Sequence, residues 1–532
     1  MKADMNSKRL FLTTGAKLLL ASGLLLQAPA WAAAFTDPTP ELRTPSGALR
    51  GQDGGDVARY LGIPYAQPPV GALRFKAPQA APPWSGVLEA KAFPKAPIQM
   101  PIGPSKYVPV GPEYSEDCLY LNVWTPKTPG PHPVYVYIYG GGNVAGTTSM
   151  PVFDGANMAR QGVVVVSVAY RVGVFGFMDV SSVLGKDYAG SGNNGLLDQV
   201  KGLEWIRKNI AAFGGDPKRV TIGGQSAGAK NVVSLLAMPA AKGLFHGAIS
   251  QSGGGQTLAT PAMASAVTEG ILARAGLDKR RARELTTLPA KDLLAAQVKL
   301  IAENAYKYPF RGVVDGVTMP LLPVAALAQG AARDIPVIMG TTRDENAFFG
   351  PAKTMNGNIE GRELANLSLA EFDKVFSKYP QAFPGLNDAQ RRYKALSAVE
   401  YWIPTVRMAE AQAKGGGKAY VYRLDMPFAS GEKAGYAVHG SELALVFDNL
   451  HDSTAPHLGP VGPEAEQLKE VMFGQWLSFI KTGRPAASGA PAWPAYDLAK
   501  RPTMVFDARP KLRVQSDLDA TERKLWAGWE PR

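Results

Sequence analysis

Ser226 stands between Gly224 and Gly228 in the run VTIGGQSAGAKN, residues 220–231. The β-prone triplet Val220, Thr221 and Ile222 leads into this G-x-S-x-G spacing, and further small residues follow it. A strand that turns sharply into a helix needs residues without bulk, because the turn demands unusual dihedrals and brings two backbones close together. Such a corner raises the serine hydroxyl, with the next backbone N–H, that of Ala227, beside it as a donor to an oxyanion. The chemistry would be nucleophilic attack on a carbonyl. A small-residue turn that merely packs a helix on a sheet fills the same five positions, so the other parts of a catalytic site must decide.

A serine nucleophile needs a base, and the chain has only five histidines. On a strand–turn–helix corner of this kind the partners follow in the order Ser, acid, His, which removes His132 and His246. His439 lies in YAVHGSEL, in a loop beyond the strand-like KAYVYRLDM (418–426). Such loops, beyond the carboxyl ends of parallel strands, are where these sheets build sites. His451 and His457 fall in the polar stretch DNLHDSTAPHLG and read as solvated imidazoles. The acid is expected after another buried strand, and DIPVIMGTTRDENAFF (334–349) offers Asp344 and Glu345. Spacing does not choose between them. Its task is to accept the Nδ1 proton and stabilise the imidazolium. VYVYIYGGGNVAG (134–146) reads as a strand ending in three glycines, whose Gly141 and Gly142 amides would complete an oxyanion hole with Ala227. A phosphate loop is excluded there, because no Lys-Ser/Thr pair and no G-x-G-x-x-G register follows.

These pieces must be held by a large scaffold. The 532 residues are 46% hydrophobic and 19% charged, ample for an extensive core. A prior of about 150 residues per domain suggests three, but no repeat or clear linker divides the chain. Residues 1–32 join a basic start to an apolar stretch and a small-residue exit, the pattern of a cleavable export signal. Ser7-Lys8-Arg9-Leu10-Phe11-Leu12 is similar to a twin-arginine signal with Lys in place of the first Arg. The expected destination is the periplasm or the medium. Lys17 interrupts the apolar run, which falls short of the ~18 residues of a spanning helix, so no stable membrane insertion is expected after signal removal. The single Cys118 excludes an internal disulfide and reads as a small buried hydrophobe. No cluster has metal-ligand spacing, and no cofactor is expected. The formal charge of +12 reads as solubility or nonspecific adhesion, not as a nucleic-acid interface.

The chain resembles the type-B carboxylesterases, the α/β-hydrolase group that includes cholinesterases and para-nitrobenzyl esterases. The resemblance is carried by LGIPYAQPPVGALRF (61–75), SEDCLYLNVWTP (115–126), YGGGNVAG (139–146), AYRVGVFGF (169–177), GNNGLLDQ (192–199), FGGDPKRVTIGGQSAGA (213–229), GTTRDENAFF (340–349) and VHGSEL (438–443), in family order. It implies one α/β-hydrolase domain over residues 33–532, with a large, mostly parallel, twisted sheet, helices on both faces and long insertions around a gorge. It also implies that Glu345, the second carboxylate of the pair, completes a triad with Ser226 and His439. Ser252 matches a serine that supports the acid from behind. The substrate would be a small-molecule ester, cleaved through an acyl-enzyme. A non-catalytic adhesion protein of the same fold, or an amide or carbamate hydrolase, are the alternatives.

Departures from the family pattern bear on the substrate. Gln225 replaces a common Glu before the nucleophile, Asn143 an aromatic after the glycines, and Lys230 follows the elbow where small residues are usual. Phe348 and Phe349 remain as parts of an otherwise incomplete aromatic pocket. Lys230 lies four residues beyond Ser226 on the same helix face. If it faces the gorge, esters that carry a carboxylate, such as tricarballylate esters of fumonisin-type toxins handled by some relatives, would be favoured.

Overall fold

Long runs of β-branched and aromatic residues set the framework. Val164–Val168 (VVVSV) and Val337–Thr342 (VIMGTT) are buried at every position, as are all but the first residue of His132–Ile138 (HPVYVYI). Strands covered on both faces read in this way, as near-continuous apolar segments. The computed structural model describes residues 35–101, 112–255, 257–304, 307–349, 364–365, 367–452, 454–509 and 511–529. The expected export signal at 1–32 lies outside them.

Twelve strands form one sheet among the described residues. In chain order they are β1 (Asp37–Pro38), β2 (Gln52–Asp53), β3 (Val57–Pro64), β4 (Tyr120–Pro126), β5 (His132–Ile138), β6 (Val164–Val168), β7 (Gly215–Gln225), β8 (Gly247–Gln251), β9 (Val337–Thr342), β10 (Ala419–Leu424), β11 (Pro502–Phe506) and β12 (Arg513–Ser516). Their spatial order is β1-β2-β3-β4-β6-β5-β7-β8-β9-β10-β11-β12. The run from β6 to β11 is parallel throughout, whereas both margins are antiparallel. The sheet is therefore mixed, with its parallel part at the centre. Short connections join β2 to β3 and β11 to β12, and such links cannot make parallel pairs, which require a long crossover.

Helices flank this centre. Helix α1 (Asn194–Asn209) presents Leu196, Val200, Leu203 and Ile206 to the core, and α2 (Ala227–Ala237) follows β7 with no intervening loop beyond Ser226. Helix α3 (Ile403–Lys414) leads back into β10, and α4 (Pro463–Thr482) seats Trp476 among Tyr422, Trp493 and Phe506. Tyr135 and Tyr137 of β5 pack with Phe447, and Tyr137 also meets Phe153. Two ion pairs, one buried and one partly buried, tie separate segments of the chain together. Arg171 holds Asp198 at 2.7 Å, and Arg74 grips both oxygens of Glu116 at 2.5 and 2.7 Å. Cys118 is buried and free, and burial pushes its thiol far up, out of the reactive range. None of the described helices is long and apolar enough to cross a membrane.

Candidate active site

The parallel strands end on one side of the sheet, and the loops beyond their carboxyl ends build the site. At the tip of β7, Ser226 has φ 59° and ψ −125°, a strained conformation for a residue with a side chain. The flanking glycines make it possible. A Cβ on Gly228 would lie 2.0 Å from the carbonyl oxygen of Ile138, and one on Gly224 would lie 2.6 Å from the backbone of Gly228. Helix α2 can begin against β5 and β7 only because both side chains are absent.

Beyond β9, the buried Glu345 accepts the Thr342 amide with Oε1 at 2.8 Å and meets His439 Nδ1 with Oε2 at 2.5 Å. Both side chains are almost wholly removed from solvent. With Nδ1–H committed to the carboxylate, His439 Nε2 carries the lone pair. The Gln225 amide donates to that nitrogen at 3.1 Å. Ser226 Oγ has no hydrogen-bond partner among the described residues, but it shares with His439 and Gln225 the wall of a cavity of about 780 Å3. Gly141 and Gly142, at φ 116° and 65°, form the adjacent rim. Their amides donate to no described acceptor, and the Ala227 amide is the first of α2, without an intrahelical partner. Three unspent N–H groups thus border the nucleophile. The rest of the lining is mostly apolar, including Met150, Phe153, Phe348, Phe349, Leu443 and Leu458. Phe349 and Tyr401 pack 5.5 and 5.0 Å from the imidazole ring.

Asp344, the other carboxylate of the pair, is used structurally. It accepts the Ala437 amide at 3.0 Å and pairs with Arg343 at 2.8 Å, while its own amide donates to the Ala437 carbonyl at 2.8 Å. It staples the loop that carries His439. His451 and His457 are exposed.

Three expectations need correction. Ser252 is buried at φ 57°, with its amide spent on the Gly340 carbonyl, and its hydroxyl has no partner and does not reach Glu345. The Thr342 amide does the supporting instead. Asn143 does not line the cavity; at φ 57° it turns inward, where its side chain accepts from Asn231 at 3.2 Å. Lys230 does not line it either. Its ammonium donates to Thr257 at 3.0 Å and lies over the rings of Tyr308 and Tyr401 at 4.6 and 5.6 Å. Burial first, opposed by Glu400 and assisted by Lys307 and Arg311, pulls this lysine down to about 8.

With this geometry in view, the comparison with known families is direct: residues 38–526 match the Carboxylesterase family. The chain belongs to that family. It is 37% identical over 495 residues to a para-nitrobenzyl esterase of Bacillus subtilis, covering 90% of this chain and 97% of the relative. A fumonisin B1 esterase of Sphingopyxis macrogoltabida is 32% identical over 476 residues, covering 88% and 86% respectively. Among solved structures, a PNB esterase superposes with a TM-score of 0.81 at 35% identity, covering 91% of this chain and 99% of that one. A carboxylesterase of Geobacillus stearothermophilus gives 0.79 at 36% identity, covering 92% and 100%. The fold is accordingly that of the α/β-hydrolases.

In this carboxylesterase, several residues at or near the site were not visible from sequence. Gln225 reads there only as the loss of a carboxylate, and its contact with His439 depends on two loops meeting. Glu442, three residues after His439, is fully buried and accepts from Gln251 at 3.2 Å; burial and the nearby Glu345 push it up to about 7. Lys307 lines the cavity although no motif marks it. Among the described residues no group of His, Cys, Asp and Glu could hold a metal ion.

Proposed function

We propose that this carboxylesterase cleaves carboxylic esters through an acyl-enzyme on Ser226, with His439 as base, Glu345 as its partner and the amides of Gly141, Gly142 and Ala227 as the oxyanion hole. The observation that carries this reading is the Glu345–His439 hydrogen bond, which leaves Nε2 as a lone-pair acceptor on the cavity that holds the strained Ser226. As Ser226 Oγ attacks the ester carbon, its proton moves to His439 Nε2, and the contact from Gln225 gives way to the hydroxyl. Glu345 balances the imidazolium, and the three amides meet the oxyanion as it forms. Collapse expels the alcohol, which takes the proton from His439. Water repeats the sequence on the acyl-enzyme and frees the acid.

The reading extends to esters that bear a carboxylate, those of tricarballylate type included. It is supported by the absence of any Asp or Glu from the described lining and by Gln225 beside the nucleophile. A relative named for fumonisin B1 is in keeping with it. The start of the chain supports export, with the activity in the periplasm or the medium. Purified protein without residues 1–32 should hydrolyse neutral aryl and alkyl esters far faster than matched anilides, and Ser226→Ala should abolish both. Faster anilide turnover would make the enzyme an amidase, and full turnover by folded Ser226→Ala would remove the serine mechanism.

A further inference from the structure

Among the described residues that line the cavity, Lys307 is the one Lys, Arg, Asp or Glu. Its backbone is tied by a 3.0 Å hydrogen bond to the Leu364 carbonyl. Its ammonium lies 4.0 Å from the centre of the Phe349 ring and 5.0 Å from that of Tyr308, and it has no ion pair with a described carboxylate. Since the Phe349 ring is in turn 5.5 Å from the imidazole, ammonium and imidazole centre are no more than about 9.5 Å apart. A dicarboxylic acyl chain of a few methylenes spans such a distance.

Other charged groups lie near Lys307. Lys230 lies over the same Tyr308 ring at 4.6 Å, and both Lys307 and Arg311 oppose its protonation. Glu400 and Glu345 favour it, and one oxygen of Glu400 already accepts the Ala365 amide at 2.9 Å. Lys307, Lys230 and Arg311 thus gather at one end of an apolar cavity, with Glu400 and Glu345 as described carboxylates nearby, and low-dielectric walls concentrate the field of whichever charge faces the cavity. Only Lys307 among them opens onto the cavity; the ammonium of Lys230 is held by Thr257 and the two tyrosines.

We infer that Lys307 receives a carboxylate carried by the ester and makes this the specificity-determining cation of the cavity, an assignment that rests on the ester-hydrolase reading of Ser226. The rival is a lysine satisfied by water and two aromatic rings, with no part in recognition.

Two matched pairs decide between them. Mono-4-nitrophenyl adipate against its methyl ester tests an acyl-side carboxylate; adipate avoids the internal attack that makes succinate and glutarate monoaryl esters self-hydrolyse. 4-Acetoxybenzoate against its methyl ester tests the alcohol side. Lys307→Met keeps the apolar stem and removes the charge. In at least one pair it should lower kcat/KM for the anion at least about tenfold more than for the neutral partner. Lys307→Arg should restore most of that difference, Lys307→Glu should enlarge it, and high salt should shrink it. Equal effects of Lys307→Met on anion and neutral ester in both pairs would overturn the assignment. Failure of the ester reading itself would show differently, as wild-type protein inactive on both neutral esters.

Discussion

At the scale of single residues, the site depends on where protons rest. Glu345 meets His439 Nδ1, and on the proposed mechanism it holds the imidazole tautomer and balances its charge during attack. Glu345→Gln preserves the shape but removes the charge, and kcat on a neutral ester should fall by roughly three to four orders of magnitude with little change in KM. A loss below tenfold would mean that Glu345 serves only to pack the loop. Lys230 yields a different prediction. Its folded value of about 8 lies below the ordinary 10.5, so between those limits the unfolded chain binds more protons and folding stability must rise with pH. Relative to Lys230→Met, wild-type protein should gain stability from about pH 8 to pH 10, by at most about 3 kcal/mol, read from denaturant midpoints at each pH. Parallel curves for the two proteins would show that the ammonium is solvated after all.

At the scale of elements, the junction of β7 and α2 decides whether the nucleophile can exist. Gly228→Ala would push a methyl group to 2.0 Å from the Ile138 carbonyl, and the atom it meets is backbone, which cannot swing aside. We expect a stability loss of about 3 kcal/mol together with loss of esterase activity, measured by chemical unfolding and turnover on the same preparation. An alanine variant with wild-type values for both would refute the close-packed elbow. This junction was legible in the sequence because the requirement is local: bulk is excluded at fixed offsets from one serine. The order Ser, acid, His was legible because topology imposes it. Contacts between loops were not. Lys230 does share a helix turn with Ser226, its amide donating to the Ser226 carbonyl at 3.0 Å, yet Tyr308 and Tyr401 stand over its ammonium. The same holds for Asp344 and Gln225, whose roles depend on residues Ala437 and His439 that lie far along the chain. Periodicity states which residues share a face and leaves open what the rest of the chain lays over it.

At the scale of the whole molecule, a twelve-stranded sheet brings together three residues from distant parts of one chain. The parallel centre aligns its strand ends, so that Ser226 after β7 and His439 after β10 share one cavity, with Glu345 after β9 bonded to the far side of the imidazole. The family's motifs also serve this frame: the AYRVGVFGF and GNNGLLDQ segments meet through Arg171 and Asp198, and the LGIPYAQPPVGALRF and SEDCLYLNVWTP segments through Arg74 and Glu116. Breaking the buried Arg171–Asp198 pair by removing one partner leaves the other charge stranded, typically at a loss of about 3–5 kcal/mol, so this contact acts as part of the core. On the proposed mechanism, this frame serves to make Ser226 a nucleophile. The most direct test of that mechanism is intact-mass and peptide mass spectrometry after treatment with an organophosphate that phosphorylates activated serines. One adduct per chain, mapped to Ser226, absent in Ser226→Ala and strongly slowed in His439→Ala, is the predicted result; an adduct on another residue, or full inhibition with Ser226 unmodified, would contradict it.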